Sequence, residues 1–347
     1  MRLRGLDRMR TVALGVRRRM RRRTVVLLYH RVAHVESDPF GLSVTPAHFA
    51  EQMDAVRRVA VPISLRQLAG ELADGRVPRR GVVVTFDDGY LDNLEYALPI
   101  LARLEIPGTV FVPGGFINTT CEYWWDALAR AVLGPMTLPE RLELTVDQRT
   151  YQWSLRGTTY TSAADALRRG ALPCTPQSTE PRHALLLELH RLLKPRSAEA
   201  QEQLAATLKS WAGVPAQAAA GDRVMTGGEL RSLTEGGLME VGAHTSRHLR
   251  LSARTAKEQA EEIQTGRQQL EHALGRTVES FAYPFGGHDD YSSETVSVLR
   301  EQGFASACAN FPEAVGRDTE RLEIPRFHVL DCPGRQFEQR LLTWLDS

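Results

Sequence analysis

Gly81-Val82-Val83-Val84-Thr85-Phe86 has three Val in succession and too few residues for a helix. Such a run is a buried strand. It leads directly into Asp87-Asp88-Gly89-Tyr90. Neighbouring side chains on an extended chain point in opposite directions, so the backbone must bend at Gly89 if both carboxylates are to serve one site. Two buried acids raise each other's pKa, and the pair is costly unless a cation lies between or beside them.

The residues around this strand alternate in period. Thr24 to Tyr29 is a second apolar strand, ending in His30-Arg31. Helical spacing follows over Pro46–Val59, with Thr45 as N-cap, then a short strand at Val61–Ile63 and a helix from Ser64 through Leu72. Beyond Tyr90 come a helix over Asn93–Leu104 and a strand at Gly108–Val112. Further on, strands at Met239–Gly242, Ser280–Tyr283, Ala305–Asn310 and Glu323–Val329 interleave with helices at Gly228–Gly236, Ala253–Leu274, Ser293–Gln302 and Arg335–Leu345. Alternation of this kind predicts a parallel sheet or barrel with right-handed crossovers. Residues 117–221 interrupt it with a helix from Trp124, a hairpin around Asp147-Gln148-Arg149, and helices at Ala163–Arg169, Pro181–Leu193 and Ala198–Ala212. They read as an inserted, mainly helical cap.

Charge is uneven along the 347 residues. Ten Arg fall within the first 23 residues, so the near-neutral total of +1 hides an acidic remainder. This basic arm, residues 1–23, is suited to an anionic membrane surface; nucleic acid is not the expected partner. The apolar run Thr11–Val16 is too short for a secretory signal, and no stretch is long enough to span a bilayer, which predicts a cytoplasmic protein, peripheral at the inner membrane face if the arm docks there. The four Cys form no C-x-x-C pair, which argues against a thiolate metal site or a disulfide framework.

Three polar clusters stand at strand C-terminal ends: His30, Asp87-Asp88, and His244 with His248. In closed α/β barrels those ends surround the active site. Two imidazoles four residues apart, with one carboxylate from a neighbouring strand, make a first-row metal set with open positions for water. The second carboxylate is then free to act as a base.

Thr85-Phe86-Asp87-Asp88-Gly89-Tyr90, His244-Thr245-Ser246-Arg247-His248 and Phe281-Ala282-Tyr283-Pro284-Phe285-Gly286 resemble, in order and placement, the three central motifs of the polysaccharide deacetylases that share the NodB homology domain. The resemblance runs from Thr24 to the C-terminus, with residues 117–221 as a divergent insertion. It implies a distorted (β/α)7-type barrel and one divalent metal ion, zinc first, with cobalt, nickel or manganese as alternatives. Carried across residue by residue, Asp88, His244 and His248 match the metal ligands and Asp87 the catalytic base. The third motif of the family usually supplies an Arg to that base. Here its position holds Ala282, and Arg326 in Ile324-Pro325-Arg326-Phe327-His328 is the candidate replacement. The Tyr-His-Arg-Val opening is similar to the circularly permuted branch that includes poly-N-acetylglucosamine deacetylases, which points to His30 as general acid, with His328 as the alternative.

These expectations define a hydrolase that removes the acetyl group from an N-acetylated sugar of a glycan or glycan precursor. Tyr90, Tyr283, Pro284, Phe285 and Arg326 are its expected substrate-side residues, with a backbone N–H near Phe285 for the oxyanion and Trp124 and Trp125 as candidate stacking platforms. Two other readings stay open: hydrolysis of a cyclic imide or other non-sugar amide on the same barrel, and a degenerate barrel that only binds.

Overall fold

The computed structural model describes residues 23–162, 164–165, 169, 174–175, 178–217 and 222–347. The basic arm up to residue 22 and most of the helix expected at Ala163–Arg169 lie outside them. The apolar runs form β1 (Thr24–Tyr29), β2 (Arg31–Val32), β3 (Ser43–Val44), β4 (Val61–Pro62), β5 (Gly81–Phe86), β6 (Gly108–Val112), the hairpin β7 (Arg141–Val146) and β8 (Arg149–Ser154), β9 (Met239–Ala243), β10 (Ser280–Ala282), β11 (Ser306–Cys308) and β12 (Phe327–His328). The main sheet runs β11-β10-β9-β6-β5-β1-β12, with β4 beside the start of β5, and its pairings are parallel.

The sheet curls towards closure. The Ala307 N–H donates to the Arg321 carbonyl and the Ile324 N–H to the Ala307 carbonyl, while β12, a few residues later, pairs with Leu27 and Leu28 of β1. One segment therefore touches both edges, giving a distorted (β/α) barrel. Side-chain alternation separates its two cores. Val82, Val84 and Phe86 join the large cluster beneath the helices, whereas Val83 belongs to a small interior cluster with Val26, Phe111, Ala282, Cys308 and Ile324. Leu65 and Leu68, from the helix Leu65–Ala73, pack against that same interior cluster.

Helix ends follow local chemistry. Thr45 and Ser64 cap their helices with side-chain oxygens, and Thr226 and Thr255 form capping boxes with Glu229 and Glu258. Thr255 also explains why the long helix starts at Ala256 rather than Ala253, behind a 3-10 turn at Leu251–Ala253. The single helix expected over Asn93–Leu104 is instead a π turn at Asn93–Ala97 followed by an α-helix at Leu98–Leu104. Pro99 has no N–H to offer the preceding turn, and a widened turn accommodates the gap. Pro325 likewise limits the strand expected at Glu323–Val329 to β12.

In the cap, Asp147 and Gln148 both have left-handed backbone and close the β7–β8 hairpin with a two-residue turn. Helices Pro181–Leu193 and Ala198–Ala212 follow. Among the described residues no helix is long and apolar enough to cross a membrane, and the four Cys are unpaired.

Candidate functional site

The alternation that puts Val83 inside the barrel also aims Thr85 and Asp87 inward. Arg326 meets them there. Its Nη1 and Nη2 donate to Oδ1 and Oδ2 of Asp87, both at 2.7 Å, Nη1 also reaches Thr85 Oγ1 at 3.3 Å, and Nε donates to the Ala309 carbonyl at 2.9 Å. Ala282 ends β10 and packs with Cys308 and Ile324, and the guanidinium that the third motif lacks comes instead from the residue just ahead of β12. Burial works against ionisation of Asp87, but Arg326, with His244 and His30 nearby, outweighs it and holds the carboxyl below its usual value.

Asp88 turns the other way because the backbone bends at Asp88 itself, with φ of 71°, as well as at Gly89, with φ of 65°. A Cβ on Gly89 would stand 2.8 Å from a Val112 methyl, so this turn needs glycine for space as well as conformation. The Tyr123 hydroxyl donates to the Asp88 carbonyl at 2.6 Å and pins the bend.

His244 and His248 come from a tight turn after β9. Thr245 and His248 adopt left-handed backbone there, and the His248 N–H donates to Thr245 Oγ1 at 3.0 Å. The turn is seated on backbone: Gly114 and Gly115 N–H groups donate to the Thr245 and Ser246 carbonyls, and Gly266 of the long helix lies so close that a Cβ would come within 2.1 Å of the Thr245 oxygen. Four of the nine non-glycine residues with left-handed backbone among the described residues (Asp88, Thr245, His248 and Phe285) fall in the three motifs. Such strain costs about 1–3 kcal/mol each and concentrates where function requires it.

The three candidate ligands converge. Donor atoms of Asp88, His244 and His248 all lie within 4.8 Å of one another. Nε2 of His244 is 3.6 Å, and Nε2 of His248 3.4 Å, from Asp88 Oδ1. His244 Nδ1 sits 2.7 Å from the Ala282 carbonyl, an arrangement that places the proton on Nδ1 and turns the Nε2 lone pair towards Asp88. Trp125 and Phe285 flank the His248 ring at 4.7 and 4.8 Å. Burial, followed by the charges of Asp87 and Asp126, raises the Asp88 carboxyl well above its usual value, while burial lowers both imidazoles. Asp88 Oδ1 and His244 Nε2 are buried without a hydrogen-bond partner among the described residues. A carboxylate that resists ionisation beside two neutral imidazoles is a donor set suited to a divalent cation, which would satisfy all three at once.

His30 leaves the end of β1 on the same inward face. Its ring stands edge-on to that of His328, with centroids 5.5 Å apart. His30 Nδ1 and His328 Nε2 are buried without a partner among the described residues. Burial pushes His30 down to about 3 and lowers His328, and Asp87 opposes both shifts. Asn93, in the π turn, donates to the His30 carbonyl at 2.9 Å.

Three of the expected substrate-side residues are buried and bonded within the protein. Tyr90 is fully buried, gives its hydroxyl to Asp126 at 2.7 Å and lies under the Arg31 guanidinium. Tyr283 is also fully buried, stacks on Tyr291 and donates to the Leu322 carbonyl, away from the three ligands. Arg326 is spent on Asp87, Thr85 and Ala309. Trp124 and Trp125 are almost completely buried, Trp125 stacking on Tyr123 and donating to Tyr90. Pro284 lies in the turn that presents Phe285, and Phe285 remains half-buried against His248. Tyr123, Asn93 and Gly266 escaped the sequence reading. A glycine inside a long helix signals a close backbone approach, and that cue was available for Gly266.

The sequence pattern of the polysaccharide deacetylase family matches residues 74–168 and 200–307. No curated protein matches. Among solved structures, the Streptococcus pyogenes deacetylase PplD in complex with acetate superposes with a TM-score of 0.56 at 14% identity, over 93% of this chain and 98% of that one. IcaB from Ammonifex degensii gives a TM-score of 0.55 at 20% identity, over 94% and 97%. The BpsB deacetylase domain from Bordetella bronchiseptica gives 0.50 at 17%, over 90% and 97%. These likenesses establish the shared barrel, and the sequence match over more than half of the chain shows that the protein belongs to the polysaccharide deacetylase family.

Proposed function

We propose that the protein is a metal-dependent N-deacetylase that hydrolyses the acetamido group of an N-acetylated sugar in a glycan or glycan precursor. The observation that carries this reading is the pairing of an Arg-held carboxylate, Asp87, with a separate three-donor set next to it in sequence and space. Asp88, His244 and His248 would hold the ion, zinc first, which when bound supplies Lewis acidity towards an amide carbonyl and acidifies water.

The chain's own residues account for the rest. Asp87, kept ionised by Arg326, accepts the proton of the attacking water. An amide nitrogen leaves only when protonated; burial keeps the His30 and His328 rings neutral, so one of these orphaned rings would first take up a proton, which the Asp87 charge favours, and then hand it on. His30 is the first choice, since it ends the same strand that pairs with β5. Phe285 and Trp125 wall the site with apolar surface and exclude water around His248.

A panel of N-acetylated sugars, free, lipid-linked and polymeric, assayed for acetate with and without chelator, tests the proposal. Acetate release that chelation abolishes supports it. No bound metal and no acetate from any substrate would sink it. The cyclic-imide alternative rested on the missing arginine at Ala282, and with Arg326 on Asp87 no observation favours it.

A further inference from the structure

His244 and His248 are held by different means. The second ring nitrogen of a metal-ligating histidine ordinarily donates to an oxygen, which fixes the tautomer and the plane of the ring. His244 follows that pattern, with Nδ1 at 2.7 Å from the Ala282 carbonyl. His248 does not. Its Nε2 is turned to Asp88, while Nδ1 is buried and makes no hydrogen bond to another described residue. Packing must therefore orient this ring. Its supports are Trp125, with centroids 4.7 Å apart, and Phe285, in a T-shaped contact at 4.8 Å. Trp125 is itself secured by its stack on Tyr123 and its bond to Tyr90.

Phe285 needs securing too. Its backbone is left-handed, with φ of 63°, a conformation that a non-glycine residue keeps only where its surroundings enforce it. Asn310 supplies part of the enforcement, donating from Nδ2 to the Phe285 carbonyl at 3.2 Å and from its N–H to the Gly286 carbonyl at 2.8 Å. The rest comes from residues 169–199, which fall between the two stretches that the family pattern matches. There Lys194, just past the helix Pro181–Leu193, sets its ammonium over the Phe285 ring, 4.4 Å from the centroid.

The same ammonium pairs at 2.8 Å with Oδ1 of the buried Asp290. Asp290 is a junction: Oδ2 accepts the Gly287 N–H at 3.1 Å, and Arg250 Nε stands 3.2 Å from Oδ1. Arg250 and Ser252, shortly after His248, also donate to the Asp289 carbonyl. Lys194 thus touches the ring that packs on His248 and the carboxylate that ties the two motif loops together. We infer that Lys194 is a positioning residue for the metal ligand His248, holding the Phe285 ring against an imidazole that lacks a hydrogen bond of its own. The inference rests on the metal site of the deacetylase reading and adds to it a part supplied by the inserted segment.

The full chain is stripped of metal and titrated with cobalt, followed by visible absorption, and with zinc in competition with a chromogenic chelator. Lys194→Met removes the ammonium and keeps an unbranched side chain. Asp290 retains Arg250 and the Gly287 N–H, so the melting temperature should stay near that of the wild type. Metal affinity should fall about tenfold or more, the scale on which partners behind the ligands act, and the cobalt spectrum should shift. Lys194→Arg, whose cation can reach both the ring and Asp290, should restore both. Phe285→Leu should lose as much as Lys194→Met, and the double variant little more than either, because both act through one contact. Arg250→Met also strips Asp290 of a cation but leaves Lys194 over Phe285, and controls for general destabilisation. Wild-type affinity and spectrum in Lys194→Met overturn the inference. So do an equal loss in Arg250→Met and losses that add in the double variant. Metal binding without acetate release from any N-acetylated sugar overturns the deacetylase reading alone. No metal bound by the wild type overturns both.

Discussion

Arg326, just ahead of the last strand, grips Asp87 through two parallel hydrogen bonds of 2.7 Å, and both side chains are almost wholly buried. Removing one member of such a pair leaves a buried charge without its partner, at a cost of about 3–5 kcal/mol. Arg326→Met should lose stability of that order in urea unfolding, and the double variant with Asp87→Asn should recover most of it. Arg326→Lys retains the charge without the planar fork and should lower kcat roughly 10²-fold at wild-type metal content. An Arg326→Met variant as stable as the wild type would mean that the two residues are not energetically coupled.

The two adjacent acids should separate cleanly by readout. Asp87→Asn preserves the shape of the side chain and leaves all three converging donors in place, so metal stoichiometry should remain near one ion while acetate release falls by roughly 10²–10⁴-fold. Asp88→Ala removes the oxygen that both imidazoles face at 3.4 and 3.6 Å, and the ion should be lost along with turnover. Elemental analysis of both purified variants decides the matter. Loss of metal from Asp87→Asn would show that the roles are assigned the wrong way round.

How much of this was legible in the sequence depends on how local each cause is. The buried β5 run, the Asp pair and the His-x-x-x-His spacing were readable because strand periodicity and short turns are written in consecutive residues. The Arg326 contact was readable only as a candidate, since a barrel must close before the last strand meets β1. Side-chain direction beyond a bend was not readable. Tyr90 and Tyr283 flank their motifs like substrate contacts, yet left-handed backbone at Asp88 and Gly89, and the stacking of Tyr283 on Tyr291, turn both into the protein.

Asp126 yields a pH dependence of unusual sign. Burial is the main cause that pushes its carboxyl up to about 7, against the opposing Tyr90 hydroxyl and Arg31 charge. In the unfolded chain the same group ionises near the ordinary carboxylate value of about 4. The folded state therefore holds a proton that the unfolded state gives up, and stability falls as pH rises from about 4 to about 7. Above that window the penalty is complete. Asp126→Asn, which keeps an oxygen for Tyr90, should stabilise the protein at pH 8 by on the order of 1 kcal/mol or more and make little difference at pH 4. Thermal unfolding across that range checks it, and a variant less stable at pH 8 than the wild type would refute the burial argument.

Two glycines inside helices should respond to alanine in opposite directions. Gly70 is exposed in the helix Leu65–Ala73, and a Cβ there would meet nothing within 4 Å. Gly70→Ala should therefore gain about 0.5–1 kcal/mol from helix propensity. Gly266 occupies the same kind of backbone, but its Cβ would come within 2.1 Å of the Thr245 carbonyl and 2.6 Å of the Ser246 nitrogen, both backbone atoms that cannot swing aside. The helix and the metal-ligand turn must separate to admit the methyl. Because the same turn carries His244 and His248, Gly266→Ala should weaken metal affinity as well as stability, by roughly 1–3 kcal/mol for the overpacking alone. Parallel measurement of melting temperature and of metal dissociation constant in the two variants isolates the effect. If Gly266→Ala binds metal as tightly as Gly70→Ala, the close packing of helix on turn does not set the ligand geometry.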